Sequence, residues 1–185
     1  MAAQTETGTS LSLDAEGWVH PARRVPSPNC NARPEGCAIS LLVIHNISLP
    51  PREYGGDGVE QLFTNTLNAH EHPFYATIAD LRVSAHFFIR RDGALLQFVP
   101  VGLRAWHAGV SNWGGREGCN DFSLGVELEG CDFEAFAEAQ YRALQDLILL
   151  LREHFPGLAL AGHQDIAPGR KTDPGPYFDW SRLNA

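Results

Sequence analysis

The longest regular pattern in the chain is "DFEAFAEAQYRALQDLILLLREHFP", residues 132–156. Phe136, Leu144, Leu147, Ile148, Leu151 and Phe155 recur at helical spacing, interrupted only by Gln140, and Pro156 ends the run. This predicts one long amphipathic helix over 132–156. "SLLVIHNI" (40–47) follows a different rule: it is a short, continuous, β-branched apolar run, as expected of a buried strand, and "SLPP" stops it. "DFSLGVELEG" (121–130) alternates apolar and polar positions and ends at Gly130, which predicts another strand. "SAHFFIRRDGALLQFVP" (84–100) reads as two strands around Asp92-Gly93, a hairpin signal. "LALAG" (158–162) adds a last short strand, 58–67 a short helix and "FDWSRL" a terminal helix. Residues 1–13 are small, polar and non-periodic and are expected to be disordered, leaving 14–185 as the folded unit. Hairpin and crossover connections coexist, so the expectation is a single α/β domain around a mixed sheet.

Composition narrows the function. A chain of 185 residues with 44% hydrophobic and 19% charged residues suits one globular domain. Its net charge of −8, with no Lys/Arg run, argues against a nucleic-acid surface, which works by neutralising phosphates. No apolar run approaches the roughly 18 residues of a membrane span. The first residues lack a basic stretch followed by an apolar one, so a cytoplasmic address is expected. Cys30, Cys37, Cys119 and Cys131 form no C-x-x-C pair, which gives no thiolate zinc knuckle, and they are read as reduced.

The candidate chemistry is carried by histidines and carboxylates. His45 sits at the C-terminal end of the buried strand at 40–47, followed by Asn46, and His163 follows the short strand at 158–162. Ligand sites gather at such strand ends in α/β sheets. His20 and His154 read as structural, and "AHEHP" (69–73) holds an H-x-H pair that still needs a third ligand. Two strand-end imidazoles and one carboxylate make a set that leaves zinc an open coordination position. Asp165 and Asp173 both qualify as the carboxylate; Asp165 could equally cap a turn, whereas Asp173 sits in the stiff "TDPGP". Glu127 and Glu129 share one strand face, and spacing does not choose a general base between them.

Four collinear segments bring these residues together: "LLVIHNISLPP", "DLRVSAHFFIRRDG", "RAWHAGVSNWGGREGCNDFSLGVELEG" and "GHQDIAPGRKTDPGPYFDW". They resemble the bacterial zinc-dependent N-acetylmuramoyl-L-alanine amidases that act on 1,6-anhydro-muropeptides, relatives of phage amidases and peptidoglycan recognition proteins. The resemblance runs from about Glu16 to Leu183. It implies a central mixed sheet flanked by helices, with the site in a groove on one face. It implies Zn2+ bound by His45, His163 and Asp173, with Glu127 as the catalytic carboxylate and Lys171 facing the reacting carbonyl. Asn46, Arg82, Trp106 and His107 would line the groove as substrate contacts. Some members carry arginine where this chain has Gly118. The implied reaction is hydrolysis of the amide between the lactyl group of anhydro-N-acetylmuramic acid and L-alanine, during cell-wall recycling. The substrate would be a small molecule, and a monomer without a protein partner is expected. A lytic amidase would need export and a wall-binding module. A non-catalytic recognition module tends to lose a zinc ligand, and this chain keeps all three.

Overall fold

The computed structural model describes residues 10–183. Six strands form the central sheet: β1 (Arg23–Arg24), β2 (Leu41–Ile47), β3 (Phe87–Ile89), β4 (Leu95–Gln97), β5 (Ser123–Glu129) and β6 (Ala159–Gly162). Their order is β6–β2–β5–β3–β4–β1. The helices are α1 (Gly58–Phe63), α2 (Tyr75–Ile78), α3 (Glu138–His154) and α4 (His163–Ile166). Strands β6, β2, β5 and β3 run parallel, while β3 and β4 form the expected antiparallel hairpin, with Phe88 opposite Leu96. The sheet is therefore mixed.

All seven residues of β5 are buried. The alternation in "SLGVELE" separates two covered faces, not a wet face from a dry one. On one face Leu124, Val126 and Leu128 join Leu42, Ile44 and Phe87 beneath Leu144, Leu147, Ile148 and Leu151 of α3. On the other, Leu41 and Val43 pack against Ala108, Phe122 and Ile166, and Phe88 packs against Val59, Leu62 and Phe63. This second layer surrounds the polar members of that face, which include His45 and Glu127.

Helix α3 begins at Glu138, six residues after the sequence pattern starts. The interruption in its apolar stripe explains the shift. Gln140 is fully buried; its Oε1 accepts from the Ala137 N–H at 3.0 Å, and its Nε2 donates to the carbonyls of Ile89 and Glu129. That amide fixes the first turn and pairs two carbonyls at the ends of β3 and β5. Residues 132–137 fold back over the sheet end, where Phe136 packs on Phe178 with ring centroids 5.7 Å apart. The helix expected over 58–67 stops at Phe63, because Asn65 takes a left-handed φ of 60° and exchanges amide hydrogen bonds with Asn29. The terminal helix is a short 3-10 turn, Trp180–Leu183.

The ordered chain also begins before residue 14. Ser12–Leu13 pairs antiparallel with Val19–His20, and Leu11 and Leu13 pack against the main core. The rest of the expected disordered segment, residues 1–9, lies outside the described residues. Among the described residues, no helix is long and apolar enough to cross a membrane.

Candidate active site

Parallel register builds the site. Glu127 lies directly beside His45 across β5 and β2, and Gly162 lies beside Ile44 across β6 and β2. His163, the next residue, therefore emerges next to His45 at the C-terminal edge of the sheet. Asp173 arrives from the loop after α4, where its carbonyl accepts from the Gln164 N–H at 2.9 Å. The His45 and His163 Nδ1 atoms stand 2.9 Å apart, and Asp173 Oδ2 is 3.0 and 3.1 Å from them. No other cluster of three such ligands occurs among the described residues. The H-x-H pair forms none; His72 Nδ1 instead accepts from the Phe74 N–H.

Hydrogen bonds behind the rings set their tautomers. His163 Nε2 is 3.1 Å from the Ala108 carbonyl, which can only accept, so Nε2 carries a proton and Nδ1 is the nitrogen turned toward His45 and Asp173. Ser123 donates to the Cys119 carbonyl at 2.6 Å, so its Oγ accepts from His107 Nε2 at 3.1 Å. His107 Nδ1 is then an acceptor for His45 Nε2–H at 2.9 Å, which leaves His45 Nδ1 bare. Burial pushes the His45 imidazole down to about 4, so it is neutral at pH 7. Two imidazole nitrogens and a carboxylate oxygen thus converge on one point. That donor set suits a cation at its centre. A tetrahedral zinc with ligands at about 2.0 Å needs donors roughly 3.3 Å apart, so small adjustments of this set accommodate it.

The glycine at 125 belongs to the same construction. Its position lies under the His107 ring, where a Cβ would come within 2.6 Å of Cγ. Arg170 adds a brace, donating to the carbonyls of Ala108 and Val110 at 2.7 and 2.6 Å. Asp165 accepts from the Gly162 N–H at 2.7 Å and so caps α4.

The two strand carboxylates have opposite surroundings. Glu129 accepts from the backbone N–H groups of Gly55 and Arg91 at 2.6 and 2.9 Å and ties two loops to the sheet. Glu127 is buried, and its Oε2 has no hydrogen-bond partner. Burial holds its carboxyl well above the usual range, Asp173 adds to this, and Lys171 opposes it. Glu127, Lys171 and the three candidate ligands line a cavity of about 420 Å³. Its wall also includes the apolar side chains of Leu49, Leu62, Phe74, Ile78, Leu81 and Val83.

Of the four expected substrate contacts, Trp106 lines this cavity, half-buried, with Nε1 donating to Asn31 Oδ1 at 2.8 Å. Asn46 lines it too, but its amide nitrogen donates to Asp132 Oδ1 and to the Pro174 carbonyl. His107 has both ring nitrogens bonded, to His45 and Ser123, so it braces the candidate ligand His45 and offers no free donor. Arg82 is exposed, stands outside the cavity wall and donates to the nearby carbonyls of Ala79 and Leu81. Ser123, Gly125, Asp132 and the apolar wall had no local signal in the sequence; they come into place through sheet pairing and loop packing.

The family profile described as N-acetylmuramoyl-L-alanine amidase matches residues 35–176, a span that contains all three candidate ligands. The chain belongs to the N-acetylmuramoyl-L-alanine amidases. This amidase is 56% identical over 170 residues to the 1,6-anhydro-N-acetylmuramyl-L-alanine amidase AmpD of Escherichia coli K12, covering 91% of this chain and 93% of the relative. A crystal structure of a selenomethionine AmpD derivative matches with a TM-score of 0.90 at 55% identity, over 92% of this chain and 96% of that one. The amidase AmiD from E. coli, solved with anhydro-N-acetylmuramic acid-L-Ala-D-γ-Glu-L-Lys, matches with a TM-score of 0.58 at 28% identity, over 94% of this chain and 64% of that one.

Proposed function

We propose that this amidase hydrolyses the amide between the lactyl group of 1,6-anhydro-N-acetylmuramic acid and L-alanine in small soluble muropeptides, in cell-wall recycling. One observation carries the reading: three converging metal-type donors share a groove with an unpaired, buried carboxyl, in a chain whose kinship to AmpD spans nearly its whole length. The substrate bound in AmiD belongs to the same anhydro-muropeptide class. His45, His163 and Asp173 are assigned to hold zinc. When bound, zinc supplies a Lewis acid and lowers the pKa of water toward neutrality, which an unreactive amide requires.

The chain's own residues account for the proton transfers and the charge. Glu127 takes a proton from the attacking water and delivers it to the departing L-alanine nitrogen as the C–N bond breaks. A carboxyl raised by burial accepts that proton readily, and the unpaired Oε2 leaves an oxygen free to do so. The Lys171 ammonium lines the same cavity and offers positive charge to the carbonyl oxygen as it becomes an oxyanion. Trp106 and the apolar wall receive the less polar parts of the substrate, namely the anhydro-sugar face and the lactyl and alanyl methyl groups. The reading places the enzyme in the cytoplasm, and four unpaired cysteines accord with a reducing compartment.

Mass spectrometry of products from soluble anhydro-muropeptide, with and without chelator, tests the assignment. The expected products are anhydro-N-acetylmuramic acid and the intact stem peptide, lost on chelation and restored by zinc. Faster release from insoluble peptidoglycan would instead identify a wall-lytic amidase.

A further inference from the structure

The segment that carries Lys171 and Asp173 contains no helix or strand, so something outside it must hold both side chains on the groove. Part of that support is Asp132, a half-buried residue three positions beyond the end of β5. Its Oδ1 accepts from Asn46 Nδ2 at 2.6 Å, and its Oδ2 accepts from the Thr172 hydroxyl. The same Asn46 nitrogen donates to the Pro174 carbonyl at 3.0 Å. Gly175, at φ 83°, packs directly on Asp132, where a Cβ would lie 2.8 Å from Oδ1. Residues 172, 174 and 175 are thus fastened on both sides of Asp173. They are fastened to the ends of β2 and β5, the strands that supply His45 and Glu127.

We propose that Asp132 is a positioning residue for the metal centre: bridging Asn46 and Thr172, it fixes the loop that presents Asp173 and Lys171. A flexible loop ligand costs ordering entropy each time metal binds, and a loop already fastened at both flanks has met that cost on folding. Thr172 faces Asp132 while its neighbours Lys171 and Asp173 face the cavity, so the bridge also sets the orientation of this segment. The proposal rests on the zinc reading of His45, His163 and Asp173.

The test uses the full chain as wild type, Asp132→Ala, Asp132→Asn and Thr172→Val. Zinc affinity is measured by chelator competition, and the visible spectrum of the cobalt-substituted protein reports coordination geometry. Circular dichroism of each metal-free protein monitors the fold. The wild type should bind one zinc. Asp132→Ala should weaken zinc about ten- to a hundredfold, a loss typical of outer-shell partners, and alter the cobalt spectrum while circular dichroism stays native. Thr172→Val should show a smaller loss, and Asp132→Asn, which keeps one acceptor, should fall between wild type and Asp132→Ala. The double variant Asp132→Ala/Thr172→Val should be no worse than Asp132→Ala, because both remove one bridge. Folded Asp132→Ala with wild-type zinc affinity and cobalt spectrum would overturn the proposal. Should Asp132→Ala not fold, Thr172→Val decides: unchanged affinity overturns the bridge and weakened affinity supports it. A wild-type chain that binds no zinc overturns the metal reading itself, an outcome visible before any variant is compared.

Discussion

Burial makes Glu127 a carboxyl that holds a proton easily, and Lys171 limits how far that goes. Glu127→Ala should keep zinc and lose about 10²–10⁴-fold in kcat, the usual worth of a positioned general base. Metal content and steady-state turnover check both halves; a metal-free variant would make Glu127 a ligand instead. Lys171→Ala should lower kcat with little change in KM, since an oxyanion partner acts mainly on the transition state. His86 gives a separate pH prediction. It is fully buried, accepts from the Gly125 N–H through Nδ1, and has its pKa pushed down to about 3 by burial, helped by Arg33. Between pH 6.5 and 3 the unfolded chain binds a proton there that the native chain refuses. Stability therefore falls as pH falls through that window, by roughly 5 kcal/mol at the extreme. Urea unfolding from pH 7 to 4 should show a shallower fall for His86→Asn, which keeps an acceptor but loses the titration.

At the scale of elements, the apolar stripe of α3 was readable because helical spacing is a local property. Where the helix begins was not, because Gln140 acts on groups far away in sequence, the carbonyls of Ile89 and Glu129. Gln140→Leu should complete the stripe and still destabilise, by about 1–3 kcal/mol, by leaving those carbonyls and the Ala137 N–H unpaired. Chemical denaturation measures this directly, and a neutral or stabilising outcome would remove Gln140 from the account of the helix start. The strand at 121–130 carries the same lesson. Its alternation predicted two unlike faces, and only the packing of α3 on one side and of the His107 ring over Gly125 on the other showed that both are covered.

Across the whole molecule, metal and fold should be linked. A zinc that binds only the native arrangement of His45, His163 and Asp173 stabilises it by mass action, about 2.7 kcal/mol at a hundredfold excess over Kd. For a chain of this size that corresponds to a rise in Tm of roughly 5–10 °C. Thermal unfolding with zinc and with chelator checks it. Equal midpoints would mean that the three donors do not hold zinc under those conditions.

The sequence by itself determined the strands, the long helix and the strand-end position of His45 and His163, because hydrophobic periodicity and chain breakers act over a few residues. Through its collinear motifs it also indicated the amidase family. The tertiary structure decided which polar residues meet. Parallel register set Glu127 beside His45 and left Glu129 to tie down loops; the Ser123–His107 chain aimed the His45 lone pair; and Asp132 joined two segments forty residues apart. These are contacts between distant parts of the chain, and no local pattern encodes which distant group a polar side chain will find.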